Sequence, residues 1–493
     1  MPGGRWEGDF ANRSPQRSAR HRAFHHAGRL AGALRVGGVK TTAYVCVPGA
    51  GVHETAALVD QAFCCLRRGA QSLGGSVIER APNPGTAPHP VRRAVVRRAV
   101  VQTPGREPFI AEFYDGRWDR ALSPPGFWTV LLWALRIAPL VLLNTAWLWF
   151  GDRASEATSR TWAAWAVAIL PALLFLVLAP AAIVVLPALL VVVSLIPAWR
   201  HRVRMIIVDV IGDAWLYRSK ELDQVVLPAL QRVARGALKN ADRVVLLGHS
   251  QGAELTRRVG LRLARETADD EPNDAESLRF VWIGSGENQL NTVRALARSR
   301  WLPWVLWPYL LAWPVFVHPV LNRLFADVIL AWQLVVDQQV SQALLSAALA
   351  LGLGASIVAF VAAGMIFARL VARPPRDAGN LPPGPSWYVQ SILDPVSFGS
   401  AAVHSDPHSA TTAVHYVPAH PQHPWWQEHI SYFDKPQTGH MLIGAGLERP
   451  AQLSPSDRPR VPGWLLVLAA AIIAAVLTGG YFLGGWQWSL LLG

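Results

Sequence analysis

The sequence predicts an α/β protein whose mostly parallel sheet carries helices on both faces, with about five transmembrane helices inserted into it and appended to it. The sheet is indicated by the polar parts of the chain, where short β-rich runs alternate with segments of helical periodicity. Such alternation is typical of parallel strands that are covered on both faces. The transmembrane helices are indicated by apolar runs that reach the roughly 20 residues needed to cross a bilayer.

Composition also favours a membrane protein. The 493 residues are 52% hydrophobic and only 16% charged, whereas soluble domains average about a quarter charged residues. The net charge of +13 comes almost entirely from arginine, a skew that is typical of high-GC bacterial genomes. Because the chain contains no nucleic-acid motif, we expect the basic residues to face anionic lipid rather than a nucleic acid. Cys46, Cys64 and Cys65 form no CxxC pair, which predicts buried thiols in a reducing compartment.

Changes in composition divide the chain into seven parts. The first, an arm rich in Arg, His, Gly and Ser, has no apolar core segment, which argues against a signal peptide and predicts a disordered basic arm. Three polar parts then alternate with two apolar insertions, and an apolar tail follows. The predicted boundaries are 1–39 for the arm, 40–120, 201–298 and 373–460 for the polar parts, 121–200 and 299–372 for the insertions, and 461–493 for the C-terminal transmembrane helix.

The polar parts can form one domain only if each insertion crosses the bilayer an even number of times. Each insertion is therefore predicted to be a transmembrane hairpin, and the tail adds one crossing. Arginines flank the runs on the side of the polar domain, which predicts that this domain is cytoplasmic in a bacterial inner membrane. Arg136 lies within the first run and could pair with Asp327 or Asp337, either structurally or along a functional path. The apolar runs are 127–150, 161–199, 301–322, 340–368 and 461–493.

The elements of the polar domain follow in order. The predicted strands are Thr41–Val47, 91–102, 109–114, 243–247, Leu278–Ile283, 388–393 and 411–417, with a turn at Pro104-Gly105 between the second and the third. The predicted helices cover 220–240 and 254–266, and a further amphipathic segment covers 321–339.

The carboxyl ends of these strands carry the sequences expected of a functional site. In chain order they are PGAG at 48–51, GHSQG at 248–252, GSG at 284–286, then Asp394 and finally His429. In open parallel sheets ligands and catalytic groups collect at this edge. GHSQG stands between a strand and a helix, where a sharp turn would project the serine oxygen above the sheet.

On these residues the polar parts resemble the α/β-hydrolase superfamily, particularly its lipase-like members. The resemblance covers about 41–116, 205–298 and 385–440, roughly half of the chain. It implies a nucleophile elbow formed by Gly248, His249, Ser250, Gln251 and Gly252, in which the two glycines are the small residues on either side of the serine.

The resemblance also implies a catalytic triad in the family's chain order of serine, acid and histidine. Ser250 would be the nucleophile, Asp394 in SILDPVSFG the acid, and His429 in HISYF the base. All three residue types are needed, because serine is a poor nucleophile until an imidazole takes its proton. The imidazole in turn needs a carboxylate to fix its tautomer and stabilise its cation.

The oxyanion hole would use backbone N–H groups. One would come from Gln251, directly after the nucleophile, and another from Gly49, Ala50 or Gly51 in the loop after the first strand. The sequence departs from the family here, because Pro48 replaces the usual histidine of this loop.

Other assignments remain open. Ser250 could be a small residue of a tight turn, Asp394 could cap a turn before Pro395, and Glu287 is the alternative acid. The spacing of His404 and His408 fits no closed zinc pattern, so we expect no metal and no other cofactor. The alternative histidines are His404, His408, His415, His420, His423 and His440.

Three functional classes follow. The first is a membrane-embedded serine esterase, lipase or thioesterase that acts on a lipid-like acyl substrate, with the second insertion at the lid position. The second is a catalytically silent hydrolase-fold module that scaffolds or gates a membrane assembly. The third is a transport protein, which the scarcity of charged residues in the crossings disfavours. The predicted partners are the bilayer and the acyl substrate, and the sequence leaves the oligomeric state undetermined.

Overall fold

The chain folds around one eight-stranded sheet in a computed structural model. The structure describes the ranges 38–49, 56–81, 95–118, 125–134, 221–270, 277–286, 318–352, 381–391, 412–417 and 429–447, together with positions 136, 192, 196, 197, 199, 215, 290, 354, 355, 394, 396 and 397.

The sheet is parallel except at one edge. Its strand order is β2-β3-β4-β1-β5-β6-β7-β8, and β3 pairs in antiparallel fashion with both β2 and β4. All other neighbours are parallel, so the carboxyl ends of β1 and β4 to β8 share one edge. The strands are β1 (Thr41–Val47), β2 (Ser76–Arg80), β3 (Val95–Gln102), β4 (Phe109–Asp115), β5 (Arg243–His249), β6 (Leu278–Ile283), β7 (Ser386–Ser391) and β8 (Thr412–Val417).

Helices cover both faces of this sheet. The first and the last of them pack on one face, and the second and third pack on the other. The helices are α1 (Ala57–Ser72), α2 (Leu227–Leu238, preceded by a π-helical turn at Leu222–Val226), α3 (Gln251–Asp270), α4 (His318–Val336) and α5 (Pro436–Gly446). A 3₁₀ turn at Tyr432–Asp434 precedes α5.

The central strand β5 shows why the sheet needs cover on both sides. Val245 and Leu247 point into the core beneath α1 and α5, whereas Val244 and Leu246 point into the core beneath α2 and α3. A strand that is buried on both faces has a continuous apolar sequence instead of an alternating one. The run RVVLLG is therefore typical of a central parallel strand.

The predicted mostly parallel sheet with helices is confirmed, with shifts in element bounds. Strand β7 begins and ends two residues before the predicted 388–393, and α3 extends beyond the predicted 254–266 at both ends. Three elements were not predicted, namely α1, β2 and α5. Strand β2 is a largely exposed edge strand, and α5 is rich in glycine, so neither carries a strong hydrophobic period.

The part of the chain that the structure describes contains no helix long and apolar enough to cross a membrane. Of the predicted crossings, 461–493 lies wholly outside the described residues, and the other four are described only in part. The predicted segment 321–339 is helical as far as Val336, as part of α4, and residues 340–352 form a further helical segment. Within α4 the buried Asp327 carboxylate pairs with Arg323, its Oδ1 atom lying 3.1 Å from Nε.

Candidate active site

Ser250 occupies a strained turn between β5 and α3. Its φ is 56°, in the left-handed region that a residue with a side chain seldom adopts. Such a conformation costs about 1–3 kcal/mol and persists only where its surroundings fix it. Here the Ser250 N–H donates to the Ile283 carbonyl oxygen at 2.9 Å, and the Ala253 N–H donates to the Ser250 carbonyl oxygen at 3.2 Å. The turn is therefore held both from the neighbouring strand β6 and from the first turn of α3.

Glycine is required beside Ser250 by the close approach of α3 to β1. A Cβ atom on Gly252 would lie 2.1 Å from the Val47 carbonyl oxygen and 2.6 Å from that of Pro48. Both distances are far below van der Waals contact, and both neighbours are backbone atoms. The second glycine of GHSQG thus allows the elbow to sit against the end of β1.

Asp394 and His429 form a hydrogen-bonded pair. The His429 Nδ1 atom lies 3.0 Å from Asp394 Oδ1 and 2.9 Å from Oδ2. The Asp394 side chain is fully buried, whereas that of His429 is 14% exposed. The carboxylate also accepts hydrogen bonds from the Val396 N–H and the Tyr432 hydroxyl, each at 2.8 Å. When Nδ1 of an imidazole is bound in this way, Nε2 is the nitrogen that can exchange a proton with a nucleophile or a substrate.

The environment keeps Asp394 ionised despite its burial. Burial is the largest single influence and by itself would raise the pKa of Asp394. The nearby His429 imidazole, the Val396 N–H and the Tyr432 hydroxyl together outweigh it, so that the pKa lies below its ordinary value of 3.8. Burial raises the pKa of the Tyr432 phenol well above its ordinary value, so this hydroxyl remains a donor. Asp394 can thus stabilise a cationic imidazole at neutral pH.

The His429 segment is attached directly to the elbow. His249 Nε2 lies 2.9 Å from the His429 carbonyl oxygen, and the two rings stack with centroids 5.0 Å apart. On the other side, Gly284 lies against the same groups, since a Cβ there would be 3.0 Å from Asp394 Oδ2 and 3.2 Å from His429 Nδ1. Within the described contacts, no hydrogen bond joins Ser250 Oγ to His429. Such bonds are often long in unliganded enzymes and shorten when substrate binds.

The loop after β1 passes directly over Ser250. A Cβ atom on Gly49 would lie 2.6 Å from Ser250 Cβ and 3.1 Å from Oγ. Trp118 fixes this loop, because its indole Nε1–H donates to the Pro48 carbonyl oxygen at 3.0 Å. Gln251 is buried as the first residue of α3, where the helix dipole favours negative charge. The predicted donors Ala50 and Gly51 lie outside the described residues.

The alternative residues fall into two groups. Two of the alternative histidines are described, and both lie away from Asp394: His415 is buried in β8 opposite Val389, and His440 Nε2 contacts Ser72 Oγ at 2.6 Å. Burial lowers the pKa of both imidazoles. In the described ranges no group of three His, Cys, Asp or Glu residues could hold a metal. The remaining candidates, Glu287, His404, His408, His420 and His423, lie outside the described residues.

Two residues of the site were not identified from the sequence. Tyr432 donates to Asp394 Oδ2 and also accepts the Ser391 N–H at 2.8 Å. His249 was identified only as the variable position of the elbow, whereas the structure places its ring against His429. Neither role leaves a signal in sequence spacing, because both depend on where the last segment of the domain packs.

No family model, no curated protein and no solved structure matches this chain. The functional interpretation therefore rests on the chemistry and geometry of the site.

Proposed function

We propose that this protein is a membrane-embedded serine hydrolase of the α/β-hydrolase type that cleaves a lipid-like acyl ester through Ser250, His429 and Asp394. The observation that carries the proposal is the arrangement at one edge of the sheet. Ser250 lies in a left-handed strand-to-helix turn, and His429 and Asp394 form a hydrogen-bonded pair. The two are connected by His249, which precedes Ser250 and contacts the His429 carbonyl oxygen. This arrangement combines the nucleophile, the base and the group that orients the base.

The chemistry follows from these three groups. His429 accepts the proton of Ser250 Oγ while that oxygen attacks the acyl carbonyl carbon, and Asp394 stabilises the imidazolium that forms. The tetrahedral oxyanion would accept hydrogen bonds from the Gln251 N–H and from the loop that contains Gly49. Collapse of this intermediate transfers the proton to the departing alcohol and leaves an acyl group on Ser250. Water then attacks the acyl carbon while His429 takes its proton, and the bond to Ser250 Oγ breaks as His429 returns that proton to the oxygen, which releases the acid.

A lipid-like substrate is supported by apolar surface within the second insertion. Helix α4 and the helical segment 340–352 expose large apolar side chains, including Trp332 at 70% and Leu351 at 76%. Exposed apolar patches of this kind mark membrane or partner surfaces. The insertion lies between β6, which ends beside the elbow, and β7, which leads to Asp394. A lid in that position, embedded in the bilayer, would deliver acyl chains from lipid to Ser250, with the sheet domain on the cytoplasmic side of the membrane.

A catalytically silent module is the second candidate. It is favoured by the absence, within the described contacts, of a Ser250 Oγ hydrogen bond to His429. Pro48 at the position of the family's loop histidine points the same way. In that case the fold would scaffold or gate a membrane assembly, and Ser250 would only complete a tight turn.

The experiment is ester hydrolysis by the full-length protein purified in detergent. Para-nitrophenyl esters of increasing acyl length would be compared below and above their micellar concentrations. We expect turnover to rise when substrate becomes micellar, and to fall by about 10³-fold or more in Ser250→Ala, because the nucleophile is lost. Equal activity of Ser250→Ala and wild type would contradict the triad. Cleavage restricted to short soluble esters would contradict the lipid-like substrate alone.

A further inference from the structure

His249 makes two separate contacts with His429. Its Nε2 atom lies 2.9 Å from the His429 carbonyl oxygen, and its ring stacks on the His429 ring with 28° between the planes. The Phe433 ring meets His249 nearly edge-on at 5.5 Å. His249, the last residue of β5 and part of the elbow, is therefore packed against the segment that carries His429.

The direction of the hydrogen bond follows from its acceptor. A carbonyl oxygen can only accept, so the proton must be on Nε2 of His249. His429 is consequently fixed at two points: Asp394 holds Nδ1 of the ring, and His249 holds the backbone carbonyl. The first contact sets the tautomer of the imidazole, and the second sets the position of the backbone that carries it.

His249 is also bonded covalently to Ser250. The His249 side chain thus connects the His429 backbone directly to the residue before the nucleophile. In proton transfer the reacting atoms must be held within a few tenths of an ångström, and small displacements reduce rates strongly. A link this short between the base and the nucleophile is suited to that requirement.

We propose that His249 is a positioning residue that holds the His429 imidazole at the height and tilt at which it can take the proton of Ser250 Oγ. This inference rests on the proposed function, because it assigns His249 to the same reaction. Because His249 acts through His429, we expect its loss to reduce kcat and to leave KM unchanged. The hydrogen bond contributes position and the stacked ring contributes tilt, so the two contacts are separable by substitution.

Two variants separate the contacts. His249→Gln keeps an N–H donor that can reach the His429 carbonyl oxygen but removes the ring, whereas His249→Phe keeps a stacking ring but removes the donor. We expect kcat to fall about 10-fold in each and about 100-fold in His249→Ala, with KM within about twofold of wild type. The matched control is His440→Gln, which changes a histidine in the Ser72 contact, away from the site, and leaves kcat unchanged.

The rate at which a fluorophosphonate labels Ser250 separates this inference from the proposed function. Labelling of wild type at Ser250, with about 10-fold slower labelling of His249→Gln and His249→Phe at unchanged melting temperature, supports the positioning role. Labelling of both variants at the wild-type rate overturns that role and leaves the proposed hydrolase intact. Slower labelling matched by a fall in melting temperature also overturns it, because the effect is then structural. Failure of folded wild type to label at all overturns the proposed function itself.

Discussion

At the scale of single residues, the site depends on keeping one buried carboxylate charged. Asp394 is fully buried and is held by His429, by the Val396 N–H and by the Tyr432 hydroxyl. Leaving such a group without partners would be strongly unfavourable, whereas hydrogen bonds to a charged group each contribute about 1.5–3 kcal/mol. Tyr432 is important among them, because the same hydroxyl also accepts the Ser391 N–H and so links the acid to β7.

Removing this hydroxyl in Tyr432→Phe is expected to reduce stability by about 1–3 kcal/mol and to raise the pKa of Asp394. Because the folded pKa of Asp394 lies below its ordinary value, the ionised carboxylate stabilises the folded chain at higher pH. That contribution is lost as the pH falls through the folded pKa. The variant should lose it at a higher pH than wild type, which thermal unfolding measured across the acid range would detect.

Tyr44→Phe is the matched control for this prediction. The Tyr44 hydroxyl is also buried and donates to the Leu442 carbonyl oxygen at 2.8 Å, within the core beneath α5. Its removal should reduce stability by a similar amount without moving the acid limb of the unfolding curve. Identical acid limbs in wild type and Tyr432→Phe would contradict the assigned hydrogen bond.

The sequence indicated candidate reacting residues but not the residues that support them. Ser250, Asp394 and His429 follow from a motif and from chain order, and the structure brings the last two into hydrogen-bond contact. His249 and Tyr432 act through packing between segments far apart in the chain. Contacts of that kind are set by tertiary structure and have no fixed spacing, so no local pattern could have identified them.

At the scale of elements, the helices α1 and α5 hold the histidine segment in place. They touch through glycine, since a Cβ on Gly439 would lie 2.3 Å from the Cys65 carbonyl oxygen and one on Gly69 would lie 2.5 Å from the Gly439 carbonyl carbon. The carboxyl end of α5 is held by two buried arginines: Arg243 donates to the Gly446 carbonyl oxygen and Arg279 to that of Ala445, each at 2.9 Å. Burial, followed by the nearby Arg243 cation, lowers the pKa of Arg279 to about 10.

The buried strands were predictable because both of their faces are apolar, but α5 was not. Helix α1 has buried apolar residues at helical spacing, including Leu58, Phe63 and Leu66, so a pattern for it was present although no helix was predicted there. In α5, glycines stand where a hydrophobic stripe would otherwise be expected. The hydrophobic periodicity of α5, PQTGHMLIGAG, is therefore weak, although most of its residues are buried. Its helical state is specified mainly by the surface on which it packs.

Substitution Gly439→Ala is expected to force α1 and α5 apart and to destabilise the chain by about 1–3 kcal/mol, since the atoms it meets are backbone and cannot rotate away. Because α5 follows the His429 segment, ester turnover should fall as well. The matched control is Gly354→Ala, where a Cβ would meet nothing within 4 Å and stability should be unchanged. Unfolding temperatures of the two variants provide the comparison, and equal values would contradict the close contact.

At the scale of the whole molecule, strands from three separate polar segments join one sheet. Strands β1 to β4 precede the first apolar insertion, β5 and β6 lie between the two insertions, and β7 and β8 follow the second. The site is assembled from all three, because the Gly49 loop, Ser250 and the Asp394–His429 pair come from different segments. Under the proposed function, catalysis and membrane attachment share this one sheet.

Membrane attachment can be separated from simple electrostatic binding. The net charge of +13 would bind the chain to anionic lipid, but such binding is screened by salt. On the proposal that the apolar runs are inserted, we expect the protein to remain in the membrane pellet after washing with high salt and alkaline carbonate, and to be released by detergent. Release by salt or carbonate alone would contradict insertion.

The most direct measurement is fluorophosphonate labelling of the detergent-purified, folded protein, with the modified peptide identified by mass spectrometry. A nucleophilic Ser250 predicts one covalent adduct on Ser250 in wild type, none in Ser250→Ala, and strongly reduced labelling in His429→Ala because the base is lost. No adduct on well-folded wild type, or an adduct that persists in Ser250→Ala, would contradict the assignment of Ser250 as the nucleophile.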